Sequence, residues 1–445
     1  MSLMKKLSFR AMSPRKNTAS KNANSSGDVD KARNRTGDFQ LGYKLAMETD
    51  IGGMRENQDD GFIWRHAESS SIVLAVLDGH GSDLGAFASQ QGRLAMIAWL
   101  DEHFTEILEN PAVALRNLFA STQERMFAMY QNILQRGGYE VEAQNGYLVK
   151  RKGGPESPWL CVHGGSSCSV VVFANGGRKM YTANVGDSSG IMAVNGKMLS
   201  MRMLKPLYEE NEPEEMKFTD AQLNSNPSST IEITWDHSPE CPREFRRMRM
   251  KKPDEATPTK PHLMIVYDSP SRKKFQCPNV FNVDGNGVPT VTNNGKYYKN
   301  VRREWASLIT TPPSARFHDA LAFTRSLGDF HLQSCGITCN PDVFEFDIEG
   351  LFNGEDAAPT KSVGESTIGC IVLCSDGVWD NWQYDDVTNF FLESSKISKV
   401  SHADSAEEQT REFMESNQQK AQTHFGNDAD NATAIVCYFS PTFSS

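Results

Sequence analysis

The sequence predicts an α+β fold with sheet packed on sheet and helices outside, and three observations carry that expectation. Strand-like runs are short and often adjacent, the turns between them suit antiparallel hairpins, and the long helical patterns stand apart from them in the chain. Runs rich in β-branched or alternating residues occur at 71–77, 169–174, 179–185, 190–194, 369–374 and 433–439. The three between 169 and 194 are joined by Asn175-Gly176-Gly177 and Gly186-Asp187-Ser188-Ser189-Gly190, turn sequences too short for helical crossovers. Helical patterns run from Leu84 to Ile107, with Ser82 or Asp83 placed as N-cap, from Val113 to Leu134 behind Asn110-Pro111, and from about Ala406 to Thr423. Residues 205–315 differ in character: Pro and charge are frequent, and 283–288 and 293–296 look like hairpin turns. This stretch reads as an insertion with small local structure inside a domain spanning 39–441.

Composition narrows the function. The chain has 445 residues, 38% of them hydrophobic, enough for a sizeable core. Its formal charge of −10 hides an asymmetry, because residues 1–38 hold nine Lys/Arg against Asp28, Asp30 and Asp38; that tail is +6 and everything after it is −16. The tail's Ser, Asn and Lys content with few large apolar residues predicts disorder, and the acidic remainder argues against nucleic-acid binding. No apolar run reaches the roughly 18 residues that a membrane span needs, and the N-terminus lacks the apolar stretch of a secretory signal. Nine cysteines, several inside strand-like runs (Cys168, Cys370, Cys374, Cys437), read as buried thiols in a reducing compartment. An intracellular location, cytoplasmic or nuclear, is the expectation.

The chemistry is carried by aspartates. Three apolar runs each end in an aspartate at a tight turn: Asp78-Gly79 after 71–77, Asp187 after 180–186, and Asp376-Gly377 after 369–375. The pair Asp59-Asp60 follows Arg55, and Asp430 stands just before the terminal apolar run. Carboxylates gathered at strand ends repel unless cations hold them, and a donor set of oxygens without His or Cys pairs favours Mg²⁺ or Mn²⁺ over Zn²⁺. Two such ions about 3.5–4 Å apart would hold a water as hydroxide for in-line attack on phosphorus. Arg55 is suited to grip phosphate oxygens, and His80, two residues past Asp78, to act as the acid for the leaving oxygen.

Eight blocks then occur in the order seen in one family: Arg55-Glu56-Asn57-Gln58-Asp59-Asp60, Leu77-Asp78-Gly79-His80-Gly81, Gly164-Gly165-Ser166-Ser167-Cys168, Ala183-Asn184-Val185-Gly186-Asp187-Ser188, Thr234-Trp235-Asp236-His237-Ser238-Pro239, Leu321-Ala322-Phe323-Thr324-Arg325-Ser326-Leu327-Gly328-Asp329-Phe330, Cys374-Ser375-Asp376-Gly377-Val378-Trp379-Asp380 and Asp430-Asn431-Ala432-Thr433. Together they resemble the metal-dependent protein serine/threonine phosphatases of type 2C. The resemblance implies a four-layer α-β-β-α sandwich, two antiparallel sheets between helix pairs, with a dinuclear Mn²⁺ or Mg²⁺ site at one end. It implies that Asp78 bridges both ions, that Asp59 and the Gly79 carbonyl complete one site, and that Asp376 and Asp430 complete the other. Arg55 would bind substrate phosphate and His80 would be the general acid. Asp187 would hold a third, weaker ion with Asp376, while Asp60, Ser167 and Asn431 would orient waters and ligands. The implied activity is hydrolysis of phosphoserine and phosphothreonine in proteins, by direct attack without a covalent intermediate, in a monomer. Three positions depart from the pattern: Asp59 where Glu is frequent, Ser167 where Thr is usual, and Ser189 where Arg often follows. The stretch from Asp236 to Leu321 is longer than the family needs, so the flap beside the site is enlarged.

Two rival readings are weighed against this one. Cys241-Pro242-Arg243-Glu244-Phe245-Arg246-Arg247 has the Cys-x₅-Arg spacing of cysteine-dependent phosphatases, but without the glycine a phosphate-cradling loop uses. A weak or inactive relative that binds phosphoproteins or a partner would be expected to lack metal carboxylates, and all five are present. Trp379 and Trp382 read as packing residues, and His163 and His237 as ordinary loop or core histidines.

Overall fold

The computed structural model describes residues 39–224, 226–353, 367–400 and 404–443. The basic tail at 1–38 lies outside the described residues. Two antiparallel sheets stack face to face. In the first, the strand order is Gly42–Asp50, Ala432–Ser440, Gly369–Cys374, Ser189–Val194 and Thr230–Glu232. In the second it is Lys205–Pro206, Asp342–Asp347, Lys179–Val185, Gly165–Ala174, Ser71–His80 and Asp59–His66, with Leu327–Gly328 pairing beside 165–174.

Three apolar cores separate the layers. Ile72, Leu74, Val76, Val171 and Phe173 of one sheet meet Ile371, Leu373, Ile435 and Phe439 of the other. The opposite face of the second sheet, with Val73, Ala75, Leu77, Val170 and Val172, packs on Met96, Trp99, Leu115 and Phe119 of the helices Gly85–Glu109 and Pro111–Arg136. The outer face of the first sheet, with Val372, Ala434 and Val436, packs on Phe391 and Phe413 of Tyr384–Leu392 and Ser405–His424. Each sheet is thus covered on both sides, which is why the 71–77 run is apolar at successive positions rather than alternating. The chain forms the expected four-layer α-β-β-α sandwich.

Differences from the expected elements have local causes. The first long helix is capped at Leu84 without a side-chain hydrogen bond, not at Ser82 or Asp83; the Asp83 carboxylate is drawn off to Lys150 Nζ at 2.7 Å. The second helix starts as expected, the Asn110 side chain accepting from Val113 N at 3.4 Å with Pro111 in the first turn. Strands 42–50, 59–66 and 342–347 carry polar or charged residues among their apolar ones, so their runs gave no clear signal.

Between the sheets' strands the insertion builds a core of its own, in which Phe245 and Met248 of the helix Pro242–Lys251 meet Ile265, Tyr267, Phe281 and Ile309. The turn at 283–288 does join a hairpin, Phe281–Val283 with Pro289–Val291. The turn-like segment 293–296 leads instead into a bridge between Tyr298 and Trp305.

Candidate active site

Strand register gathers the aspartates. Asp59 lies opposite Asp78 on adjacent strands, and Asp78 lies opposite Ser167 on the next. Asp376 begins a short helix directly after strand 369–374, from the other sheet, and its charge acts on Asp78. Ser375 ties the two sheets together: its hydroxyl donates to Asp59 Oδ2 at 2.7 Å and accepts from Thr433 N at 2.9 Å. Asn431 fastens the loop that carries Arg55, accepting from Gln58 N at 2.7 Å and donating to Ile51 O at 2.8 Å. Asp430 stands exposed beside it, its Oδ1 accepting from Asn431 N at 2.8 Å.

Asp187 sits on a turn that needs glycine before it. Gly186 has φ +92°, and a Cβ there would stand 2.5 Å from Ser167 Cβ. Ser167 in turn is hydrogen-bonded to Ser188 Oγ at 2.6 Å. His237, fully buried, supports the same turn, with Nδ1 3.2 Å from Gly186 N and Nε2 3.2 Å from Asp342 Oδ2.

The electrostatics show what this gathering costs. Burial, opposed by hydrogen bonds from Ser375 and Thr433 and aided by the charges of Asp376 and Asp430, pushes the Asp59 carboxyl up to about 7. Burial and the neighbouring Asp59, Asp376, Asp430 and Asp187 raise Asp78 well above the carboxylate range. Asp187 is raised to about 6, by burial first, with Lys299 opposing and Asp376 adding. Two buried oxygens in this group, Asp59 Oδ1 and Asp187 Oδ1, have no hydrogen-bond partner among the described residues. A buried acceptor left unpaired costs about 1–3 kcal/mol, more for a charged group, so the donor set suits hard cations. Among the described residues, however, no three His, Cys, Asp or Glu side chains stand at ligand spacing from one another. Like charges spread toward the nearest donors: Asp59 to Ser375, Asp430 to the Asn431 amide, Asp187 toward Lys299.

Arg55 is exposed and has no ion pair among the described residues, leaving its guanidinium available. His80, half-buried, places Nε2 2.7 Å from Asp329 Oδ2. Burial lowers its pKa, but the charge and hydrogen bond of Asp329 outweigh that and raise it. Asp60 is not brought to the others: strand alternation turns it to the helical face, where it pairs with Arg93 Nε at 2.7 Å. Trp379 is a packing residue, 1% exposed, its indole donating to Ser189 O and Cys374 O.

Two neighbours were missed in the sequence. Asp329 adopts a left-handed backbone at φ 42° and ψ 41°, a strained state for a residue with a side chain; the Gly328-Asp329 turn was its signal. Lys299, one of many basic residues in the insertion, lies 3.7 Å from Asp187 Oδ2, and no motif marks it. Burial works against its ammonium, but Asp187, Asp236, Glu304 and Asp380 outweigh it and hold its pKa above the usual lysine value.

The Cys-x₅-Arg match is spent on structure. Cys241 caps helix 242–251, and burial raises its thiol pKa. Arg247 is bound to Glu244 Oε2 at 2.8 Å and to the carbonyls of Gly336 and Thr324.

A family model described as Protein phosphatase 2C matches residues 305–424. No curated protein matches the sequence. Among solved structures, serine-threonine phosphatase 2C from Toxoplasma gondii is similar at 15% identity and TM-score 0.49, over 89% of this chain and 95% of that one. A C. elegans sex determining protein is similar at 15% identity and TM-score 0.46, over 89% and 65% of the two chains. The Mycobacterium tuberculosis serine/threonine phosphatase PstP/Ppp is similar at 15% identity and TM-score 0.39, over 89% and 97%.

Proposed function

We propose, from the match of residues 305–424 to the protein phosphatase 2C model and the resemblance of the eight sequence blocks, that this chain is a protein phosphatase of type 2C that hydrolyses phosphoserine and phosphothreonine in proteins with two divalent ions, Mn²⁺ or Mg²⁺. The observation that carries the reading is the convergence of Asp59, Asp78 and Asp376 from three strand ends of two sheets, with carboxyl groups held against their own repulsion. Asp78 would bridge the ions, Asp59 and the Gly79 carbonyl would complete one site, and Asp376 and Asp430 the other. Ions so held supply Lewis acidity and a water acidified toward neutral pH.

The chain's own residues do the rest. Arg55, on the loop fastened by Asn431, grips two phosphate oxygens through its planar fork and fixes the phosphorus in line. Asp329 engages His80 Nε2 and favours the imidazolium, which leaves Nδ1–H to protonate the departing seryl or threonyl oxygen. Ser375 and Asn431 hold the carboxylate-bearing segments in register, the positioning role the buried hydrogen bonds serve.

A second reading, binding of phosphoproteins without turnover, is favoured by one observation: Lys299 already lies against one of the five carboxylates. Turnover of a small phosphate ester separates the two. The expected result is Mn²⁺-dependent hydrolysis, abolished by chelation and by Asp376→Asn and unchanged in Cys241→Ser. Activity that survives chelation but is lost in Cys241→Ser would overturn the metal mechanism, and absence of turnover in every arm would favour the binding module.

A further inference from the structure

We infer that Lys299 is a tethered cation standing in for a third metal ion at Asp187, so that the chain binds two divalent ions and not three. The assignment rests on the reading of Asp59, Asp78, Asp376 and Asp430 as the carboxylates of the two-ion site.

The geometry is that of a built contact. Lys299 Nζ lies 3.7 Å from Asp187 Oδ2 and 3.7 Å from Glu304 Oε2, with the side chain 25% exposed. Its backbone is held on both sides. Lys299 N donates to Glu304 O at 2.8 Å, and the flanking Tyr298 and Trp305 form a bridge with their rings stacked at 4.0 Å. Asn300 Nδ2 donates to Glu304 Oε2 at 2.7 Å.

This small loop is also clamped to the segment that follows Asp376. Val301 N donates to Asp380 O at 3.2 Å, Gln383 Nε2 donates to Val301 O at 2.8 Å, and Arg302 donates to Trp379 O while its guanidinium covers the Tyr384 ring. The insertion therefore anchors the backbone that carries Lys299 beside the Asp376 segment, within side-chain reach of Asp187.

The chemistry favours substitution over coexistence. An ammonium is a compact point charge, and 3.7 Å from Asp187 Oδ2 it offsets the charge of a buried carboxylate whose other oxygen, Oδ1, has no hydrogen-bond partner among the described residues. A divalent ion drawn to Asp187 would meet that fixed positive charge a few ångströms away in a site sheltered from water, where repulsion is weakly screened. The enlarged flap thereby acquires a role: it supplies from within the chain a charge that an ion would otherwise bring from solution.

Counting bound Mn²⁺ by equilibrium dialysis with electron paramagnetic resonance, independently of turnover, tests the assignment. The full-length protein should bind two ions, Lys299→Met should gain a third at least tenfold tighter than any third ion in the parent, and Lys299→Met with Asp187→Asn should lose it again. Lys299→Arg, which keeps the charge, should stay at two. Three ions in the unaltered protein, or two in a Lys299→Met variant whose melting temperature and circular dichroism show it folded, would overturn the role of Lys299 and leave the two-ion reading standing. No Mn²⁺ bound by the unaltered protein would instead sink the two-ion reading and this inference with it. Should Lys299→Met fail to fold, Lys299→Gln takes its place with the same two outcomes, a third ion supporting the role of Lys299 and a count of two overturning it.

Discussion

Glu244 is the position where one changed atom should cost the fold most. Its side chain is fully buried. Oε1 accepts from Arg325 Nη2 at 2.6 Å, and Oε2 accepts from Arg325 Nε at 3.0 Å, Arg247 Nε at 2.8 Å and Thr324 Oγ1 at 2.8 Å. Burial pushes this carboxyl up, but the charges of Arg247 and Arg325 outweigh it and hold it well below the usual range. Glu244→Gln removes the charge, leaving Arg243 and Arg325 with Asp342 and leaving Arg247 without an ion pair among the described residues. Breaking a buried pair from one side costs about 3–5 kcal/mol, because the surviving charge keeps its desolvation penalty. Removing Arg325 as well, as Arg325→Met with Glu244→Gln, relieves part of that penalty, so the double variant should be less destabilised than the sum of the singles by about 0.5–3 kcal/mol. Urea unfolding followed by tryptophan fluorescence and far-ultraviolet circular dichroism measures both. The damage should also reach the site, since His237 links Asp342 to Gly186, directly before Asp187. A loss under about 1 kcal/mol in Glu244→Gln, or strict additivity of the pair, would refute the reasoning that Glu244 and Arg325 depend on each other as a buried charge pair.

Three further outcomes are expected. Burial first, then the charges of Asp236 and Glu304, push the Glu232 carboxyl from 4.5 to about 8, with Arg302 opposing. The folded chain then keeps a proton that the unfolded chain releases, so this residue subtracts stability as pH rises through that window. Glu232→Gln should therefore be more stable to urea than the unaltered protein at pH 8, by up to about 4 kcal/mol, with the gap closing toward pH 5; an equal gap at both pH values would contradict it. At Gly377 an added Cβ would stand 1.9 Å from Asn431 O, so Gly377→Ala should force apart the Asp376 and Asp430 segments. It should cost about 1–3 kcal/mol and weaken Mn²⁺ binding in titration calorimetry; unchanged binding would show that the segments separate freely. His80→Gln should slow hydrolysis of a phosphoserine peptide about 10²–10⁴-fold and p-nitrophenyl phosphate far less, because that leaving group needs little protonation; equal losses on both substrates would remove His80 from the acid role.

What the order of residues determined alone was the kind of scaffold and the kind of chemistry. Apolar runs at 71–77, 169–174, 369–374 and 433–439 became the central strands because nothing but a covered sheet buries so many β-branched side chains in so few residues. Aspartates at the ends of such runs were legible because a strand end fixes where the next residue points. Asp60 shows the limit of that logic, for a neighbour in sequence lands on the opposite face of its strand and meets Arg93 instead. The tertiary structure decided what had no local signature. Asp329 reaches His80 only because a strained turn beside strand 165–174 aims it there, and Lys299 reaches Asp187 only because an insertion folds back over the Asp376 segment. Periodicity reports the face a side chain takes on its own element, whereas a charge pair between distant segments depends on how whole layers stack, and that is settled by packing.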